Sequence, residues 1–375
     1  MKSKRALAQE LLAPAGITLD GPNPWDPQVH DESIFNRLFN TGSLAIGETY
    51  MQGLWDVEDI PELIYRVNRS GVGTNIFKMK SLGLLPHIIR HRLSNRQSRA
   101  RADLVALKHY DLDNEIYIRM LDPTMAYTCG YWKGAKTLEE SQRAKHDLVC
   151  RKLGIKEGDR VLDIGCGCGG FAEHAAKHYG ASVVGLTISK EQGALAQERV
   201  RGLPVEVRLQ DYRDVNDGPY DHVVSMGMFE HVGYKNYQQY MQIVRKTLKE
   251  DGLFLLHTIG NNRTAWRADP WFDTYIFPNG YLPSPKLIGK AIDGLFVMED
   301  WHTFGADYEQ TLLAWFKNFD AAWPGLREEY GGEVFYRMWK YYLLSMAGAF
   351  RSRYLNLWQI ILSPKGVQGG YKSVR

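Results

Sequence analysis

At 375 residues the chain is long enough for one large domain, or a domain with a smaller companion, around a sizeable core. Its 46 Lys and Arg against 43 Asp and Glu leave a net charge of +3, so no global field argues for nucleic acid, and no nucleic-acid partner is expected. Cys129, Cys150, Cys166 and Cys168 lack paired metal-ligand spacing, no apolar run reaches a bilayer span, and Met1–Arg5 precedes no adequate signal-peptide core; a reduced, cytoplasmic protein without a metal site is expected.

Residues 1–86 hold short helical patterns broken by Pro14, Gly16, Gly21-Pro22 and Pro24-Trp25-Asp26-Pro27, which predicts a small, mostly helical accessory domain. Gly42, Gly47 and Gly53, interleaved with Tyr50, Met51, Leu54 and Trp55, suit tight packing or contact with lipid. Within a basic linker spanning 87–107, the run His87–Arg101 carries five arginines, two histidines and no acid, with Ile89 and Leu93 one helical turn apart. This is a basic amphipathic segment, either solvated between domains or resting on an anionic membrane surface. The stretch 108–132 is dense in tyrosine and ends in Tyr127-Thr128-Cys129-Gly130-Tyr131-Trp132, which predicts a lid ahead of a catalytic domain, 108–375.

Thr137-x-x-Glu140 is a capping box opening a helix to about Leu153, closed by Gly154 and Gly158. The buried strand Val161–Ile164 then runs into a turn containing Gly165, Gly167, Gly169 and Gly170, where the backbone can approach a nucleotide-like ligand. A helix to Tyr179, a strand Ser182–Leu186, a helix opened by Ser189-x-x-Gln192 and strands Val205–Leu209, His222–Met226 and Leu253–His257 continue the alternation of a doubly wound α/β sheet. Helices over Tyr308–Ala322 and Leu326–Phe350 and a strand over Leu357–Leu362 complete it.

In such sheets ligands bind beyond the carboxyl ends of the strands. Asp163 to Gly169, Thr187 to Gln192, Gln210 to Tyr212, Glu230-His231 and His257 to Ile259 would all meet at one crevice. Taken singly, Asp211 is equally a turn residue and His257 equally a satisfied core histidine; five polar clusters at five strand ends make a common site.

The VLDIGCG stretch resembles the first motif of the class I S-adenosylmethionine-dependent methyltransferases. Over nearly its whole length the chain also resembles the cyclopropane-fatty-acyl-phospholipid synthases, which add a methylene across the cis double bond of phospholipid acyl chains. Gly47–Trp55 (GETYMQGLW), Tyr110–Asn114 (YDLDN), Tyr127–Trp132, Val183–Ser189 (VVGLTIS), Leu209–Asp214 (LQDYRD), Met228–Gly233 (MFEHVG), Phe254–Gly260 (FLLHTIG), Trp271–Ser284 and Thr303–Tyr308 (TFGADY) carry that resemblance. It implies a class I methyltransferase, Rossmann-like doubly wound sheet with a small helical N-terminal domain. It also implies S-adenosylmethionine held by Tyr127, Thr128, Asp163, Gly165, Gly167, Gly169, Thr187, Ser189, Gln192, Gln210, Asp211 and Tyr212, and bicarbonate contacted by Cys129, Glu230, His257, Ile259 and Tyr308. The implied partners are unsaturated phospholipids at the inner membrane surface, with a homodimer as a permitted assembly. A methyltransferase leaving a methyl branch, or methylating a small amine, is the alternative on this scaffold.

The residue types fit the implied chemistry. An isolated alkene is a weak nucleophile and must be held in line with the sulfonium methyl. The cation left by methyl transfer calls for a dry pocket lined by rings, for which Trp266, Trp271, Phe272, Tyr275, Phe277 and Tyr281 are candidates. Ring closure needs a positioned base, which a bicarbonate between Glu230, His257 and Tyr308 would supply. Cys168 stands where the family commonly has Trp, Asp113 where it has Gly, and Ser345–Phe350 contains no cysteine to serve as a nucleophile.

Overall fold

The computed structural model describes residues 2–72, 114–265 and 268–375. The basic run His87–Arg101, Asp113 and Trp266 lie outside the described residues. In chain order the elements begin with α1 (Lys4–Leu12), β1 (Gln28–Val29), α2 (Ser33–Thr41), α3 (Ser43–Met51), β2 (Trp55–Asp56) and α4 (Ile60–Ser70). They continue with α5 (Asn114–Met120), α6 (Leu138–Leu153), β3 (Arg160–Ile164), α7 (Gly170–Tyr179), β4 (Ser182–Thr187), α8 (Lys190–Arg199), β5 (Val205–Leu209) and β6 (Tyr220–Met226). The last are α9 (Tyr237–Thr247), β7 (Leu248–Asn261), α10 (Pro270–Tyr275), α11 (Pro285–Ile292), β8 (Val297–Thr303), α12 (Asp307–Leu326), α13 (Glu333–Arg351) and β9 (Leu355–Ser363).

Two compact units are formed. The first contains the described residues of Met1–Asn95, Trp266–Pro278 and Leu312–Leu355. Within it α13 lies on α4 so closely that a Cβ on Gly348 would collide with the Pro61 carbonyl oxygen. Arg337 clamps the strand end, with Nη2 2.7 Å from Asp56 and its guanidinium 4.2 Å above the Tyr50 ring. The GETYMQGLW residues Tyr50, Met51 and Trp55 are buried here, and Gly47 clears space for the Trp271 ring.

The second unit contains the described residues of Arg96–Ala265, Asn279–Thr311 and Asn356–Arg375. Its seven-stranded sheet has the order β5-β4-β3-β6-β7-β9-β8. β3 pairs in parallel with β4 and β6, β4 with β5 and β6 with β7, while β8 and β9 are antiparallel. The two-residue repeat of each strand sends alternate side chains to opposite layers. Val161, Val183, Val224, Leu255 and Ile361 pack with Val149, Leu153, Phe171 and Ala175 of α6 and α7. Leu162, Ile164, Leu186, Val223, Leu256 and Ile360 pack with Tyr240, Met241 and Val244 of α9 and Ile288 and Ala291 of α11. With both faces covered, β3, β4 and β9 read as nearly continuous apolar runs, while the edge strands β5 and β8 do not, and ligand access falls at the carboxyl ends where the strand order reverses at β3.

Several boundaries repeat the sequence expectation. Thr137 Oγ1 accepts from Glu140 N at 3.1 Å and Gly154 closes α6 at φ 65°, while Ser189 Oγ accepts from Gln192 N at 3.2 Å to open α8. Strand β8 was not expected; its sequence VMEDWHT leaves Val297 and Met298 exposed on an edge and offers no apolar run. The last helix begins at Glu333 instead of Leu326, because Gly331 and Gly332, at φ 78° and 71°, interrupt it.

Candidate active site

The β3 turn is fixed from two sides. Gly165 N and Cys166 N donate to the Leu186 carbonyl at 3.0 and 2.9 Å, and Arg199 Nε donates to the Cys168 carbonyl at 2.8 Å. Arg199 also holds Glu173 at 3.1 Å and the Pro123 carbonyl at 2.8 Å, so one guanidinium ties the turn to α7 and to the segment before α6. Gly165 sits at φ 86° and a Cβ there would press on Met228 at 2.9 Å, whereas a Cβ on Gly167, at φ 53°, would meet no atom within 4 Å. The first glycine serves packing, and the second leaves backbone open to a ligand. Asp163, at the end of β3, is 1% exposed with neither carboxylate oxygen partnered; burial pushes its pKa up to about 7, against the pull of Lys145.

At the ends of β4 and β5, Gln210 N donates to the Thr187 carbonyl at 2.9 Å and Ser189 N to Thr187 Oγ1 at 3.2 Å. Asp211 caps the following turn, its Oδ1 taking Arg213 N and Nε at 2.9 Å each, and Tyr212 packs edge-on to Tyr240 at 5.1 Å. Thr187 and Leu209 are paired neighbours in the sheet, and Ile188 and Leu209 are 40% and 56% exposed. Two large apolar side chains thus stand exposed beside these polar strand ends.

Residues Tyr127–Cys129 are gripped by α6. Gln142 Nε2 donates to the Thr128 carbonyl at 2.8 Å, and Lys145 Nζ donates to Thr128 Oγ1 at 2.7 Å and to Gln142 Oε1 at 2.6 Å. Tyr127 stacks edge-on with Tyr117 of α5 at 5.2 Å. Cys129 has no exposed surface; burial, with Asp307 nearby, raises its pKa well above the usual thiol value, so it is present as the thiol. Its Sγ lies 3.9 Å from Thr311 Oγ1, and Thr311 is one helical turn beyond Tyr308 on α12.

Glu230 follows β6, and His257, expected as the last residue of its strand, lies inside β7, which runs on to Asn261 and pairs His257 with Met226. Ile259 N donates to Glu230 Oε1 at 2.6 Å, while Glu230 Oε2 is buried without a partner. Burial raises the Glu230 pKa to about 7, with the Ile259 and Glu230 amides and the Thr258 hydroxyl opposing that rise, although Thr258 Oγ1 makes its hydrogen bond to the Ile259 carbonyl. His257, 1% exposed and two residues before Ile259 along β7, accepts from Gln359 Nε2 at Nδ1 over 3.2 Å. With the Gln359 amide so oriented, its Oε1 buried and unpartnered, the ring proton falls on Nε2, which is also buried and unpartnered. Burial lowers the His257 pKa well below its usual value, reinforced by Lys145 and Lys152, so the ring is neutral. Phe304 packs 6.0 Å from the imidazole and Tyr308, 7% exposed, follows one turn later. Within the expected set the direct contact is Ile259 N to Glu230; Cys129 touches Thr311 of α12, the helix that also carries Tyr308, and His257 touches Phe304.

Of the expected ring residues, Trp271, Phe272 and Tyr275 pack with Tyr341 and Tyr342 in the first unit. Tyr281 packs with Tyr234 and Tyr237 in the second.

The family model described as mycolic acid cyclopropane synthetase matches residues 97–360. The cyclopropane-fatty-acyl-phospholipid synthase of Escherichia coli K12 is 49% identical over 98% of this chain and 95% of its own. A cyclopropane synthase structure from Mycobacterium tuberculosis superimposes with a TM-score of 0.64 at 33% identity, covering 70% of this chain and 97% of that one. A mycolic acid cyclopropane synthase complexed with SAH and CTAB gives a TM-score of 0.63 at 33% identity, covering 70% and 97%. The chain belongs to the mycolic acid cyclopropane synthetase family. It is a class I, S-adenosylmethionine-dependent methyltransferase.

Sequence reasoning missed Gln142, Lys145, Gln359, Thr311 and Arg199. A signal for the first two was present: Ser141, Gln142, Lys145, Val149 and Lys152 occupy the helical stripe begun by Leu138, so polar side chains fall where α6 must face the core. Lys145 and Lys152 are both fully buried, and such lysines are retained only with partners. Gln359 carried no signal, since it lies within a strand whose every residue is buried.

Proposed function

We propose that this family member transfers a methylene from S-adenosylmethionine to the cis double bond of unsaturated phospholipid acyl chains at a membrane surface, forming a cyclopropane ring. The observation that carries the ring-closing step is the pair of buried, unpartnered groups, Glu230 Oε2 as acceptor in the turn after β6 and His257 Nε2–H as donor on β7, where His257 pairs with Met226, the last residue of β6. Leaving each unpaired costs about 1–3 kcal/mol, which favours a small polar ligand with both a hydrogen to give and an oxygen to accept. Bicarbonate has that pattern, and when bound it supplies a base for the proton lost on ring closure. Glu230 would hold its hydroxyl and His257 would donate to an oxygen, while buried Cys129 and Tyr308 limit water near a carbocation.

Tyr127 and Thr128, the Gly165–Gly169 turn and the Thr187–Tyr212 strand ends would hold S-adenosylmethionine, which supplies the electrophilic methyl. The open side of Gly167 and the exposed Ile188 and Leu209 side chains support that fit. Among the described residues no helix is long and apolar enough to cross a membrane, so the reading requires surface access to lipid, for which the basic run His87–Arg101 is suited.

A second reading, a methyl branch in place of the ring, is favoured by two relatives. A probable fatty acid methyltransferase of Pseudomonas putida is 40% identical over 94% of this chain, and a tuberculostearic acid methyltransferase of Mycobacterium tuberculosis is 32% identical over 89%. Incubating the full chain with S-adenosylmethionine and monounsaturated phospholipid vesicles separates the two. The expected product gains one CH2, about 14 Da, with no acyl double bond and no open methyl branch. A surviving alkene, a methyl branch or mass on the head group contradicts the ring-forming reading.

A further inference from the structure

Lys145 has no exposed surface, and both of its hydrogen bonds go to neutral groups, Thr128 Oγ1 and Gln142 Oε1. A lysine ammonium offers donors only. Thr128 Oγ1 must therefore accept from Lys145, and its own hydrogen points elsewhere; no acceptor among the described residues takes it. The rest of Thr128 is equally fixed. Its methyl faces Gly227 so closely that a Cβ there would lie 2.7 Å from it, and Gln142 holds its carbonyl. The threonine thus retains one unused capacity, an oriented hydroxyl donor.

The surroundings add charge. Burial lowers the Lys145 pKa to about 8, while Asp122, Cys129 and Asp163 act to raise it, so the ammonium persists at neutral pH. Asp163 supplies two unpartnered oxygens on the same side of the fold. A zwitterionic amino-acid group suits such a place, with an acceptor for its ammonium and a donor beside a positive charge for its carboxylate.

We propose that Lys145 is a positioning residue that turns the Thr128 hydroxyl into a fixed donor and, with its buried charge, makes this end of the site select a cofactor bearing a carboxylate. The proposal rests on the reading of Thr128 as a contact of S-adenosylmethionine.

Calorimetric titration of the full chain with S-adenosylmethionine and with its decarboxylated analogue, which keeps the adenosine, sulfonium and amine, tests it. Wild type is expected to prefer S-adenosylmethionine. Lys145→Met keeps the hydrocarbon length and should lose about 10- to 100-fold in affinity for S-adenosylmethionine while changing less than about twofold for the analogue. Thr128→Val should show the same selective loss, and the double variant little beyond the larger single loss. The wild-type preference should also shrink above about pH 8 as Lys145 deprotonates; the groups facing it are Asp122, Cys129 and Asp163, with His146 and His257 feeling its charge. Equal losses for both ligands in a variant that melts like wild type, or no loss for either, overturn the proposal. Should Lys145→Met not fold, Thr128→Val decides by the same criterion. Wild type that binds neither ligand overturns the cofactor reading itself.

Discussion

The two ends of the site differ in plan. Around Thr128 and the Gly165–Gly169 turn, carbonyls and hydroxyls are held by Gln142, Lys145 and Arg199, so donors and backbone are already aimed and only the Asp163 carboxylate is left buried and unpaired. Around β6 and β7, Glu230 Oε2 and His257 Nε2 are buried and left unpaired. The first plan recognises a large ligand through a preset shape and needs no rearrangement on binding. The second stores the cost of two unmet hydrogen bonds, which only a small polar guest can relieve. Binding and proton removal should therefore be separable by substitution.

The largest expected effect breaks the second end. Glu230→Gln keeps the shape but replaces a charged acceptor by an amide, and loss of such a contact costs about 2–4 kcal/mol, or roughly 10²–10³-fold in turnover. Cofactor affinity should stay within about twofold, measured by calorimetry; a parallel fall in affinity would erase the distinction between the ends. The pH profile sharpens the same point. Acceptance requires the carboxylate, and because burial raises the Glu230 pKa to about 7, its ionised fraction falls as pH drops through that value. Wild-type turnover should fall on the acid side of about pH 7, and that limb should be absent from the residual activity of Glu230→Gln.

A smaller effect is expected one contact away. Gln359→Met removes the donor to His257 Nδ1 and frees the ring to place its proton on either nitrogen, so turnover should fall about 10-fold with cofactor affinity unchanged. Smallest should be Arg199→Met at the first end. It releases the Cys168 carbonyl and should weaken cofactor binding by about 3- to 10-fold while saturating turnover stays within about twofold. A drop in saturating turnover as large as that of Gln359→Met would show that the glycine turn also positions the chemistry.

This difference in plan also explains what could be read without coordinates. β3, β4 and the buried stretches of β6 and β7 were legible because strands covered on both faces must be apolar, β5 because Val205 and Val207 alternate with Glu206 and Arg208, and the caps at Thr137, Gly154 and Ser189 follow from local backbone needs. Glu230 and His257 stood out as titratable groups after and at the ends of expected apolar strands, although β7 runs four residues past His257. Their partners did not. Gln359 reaches His257 from a residue 102 positions away, and Thr311 reaches Cys129 across 182, contacts that no local pattern encodes. β8 escaped because an antiparallel edge strand is only half covered and needs no apolar run. The assembly of Met1–Asn95 with Leu312–Leu355 in one unit was hidden for a related reason: the small residue Gly348 that admits Pro61 looks, in sequence, like any helical glycine.

The most direct test of the central claim is turnover in degassed, bicarbonate-depleted buffer and again after bicarbonate is restored, for wild type and Glu230→Gln at saturating S-adenosylmethionine. Wild type should slow on depletion and recover in full on addition, whereas Glu230→Gln should be slow in both and respond weakly. Wild-type turnover indifferent to bicarbonate, or a Glu230→Gln enzyme that matches wild type, would contradict a small anion bound between Glu230 and His257.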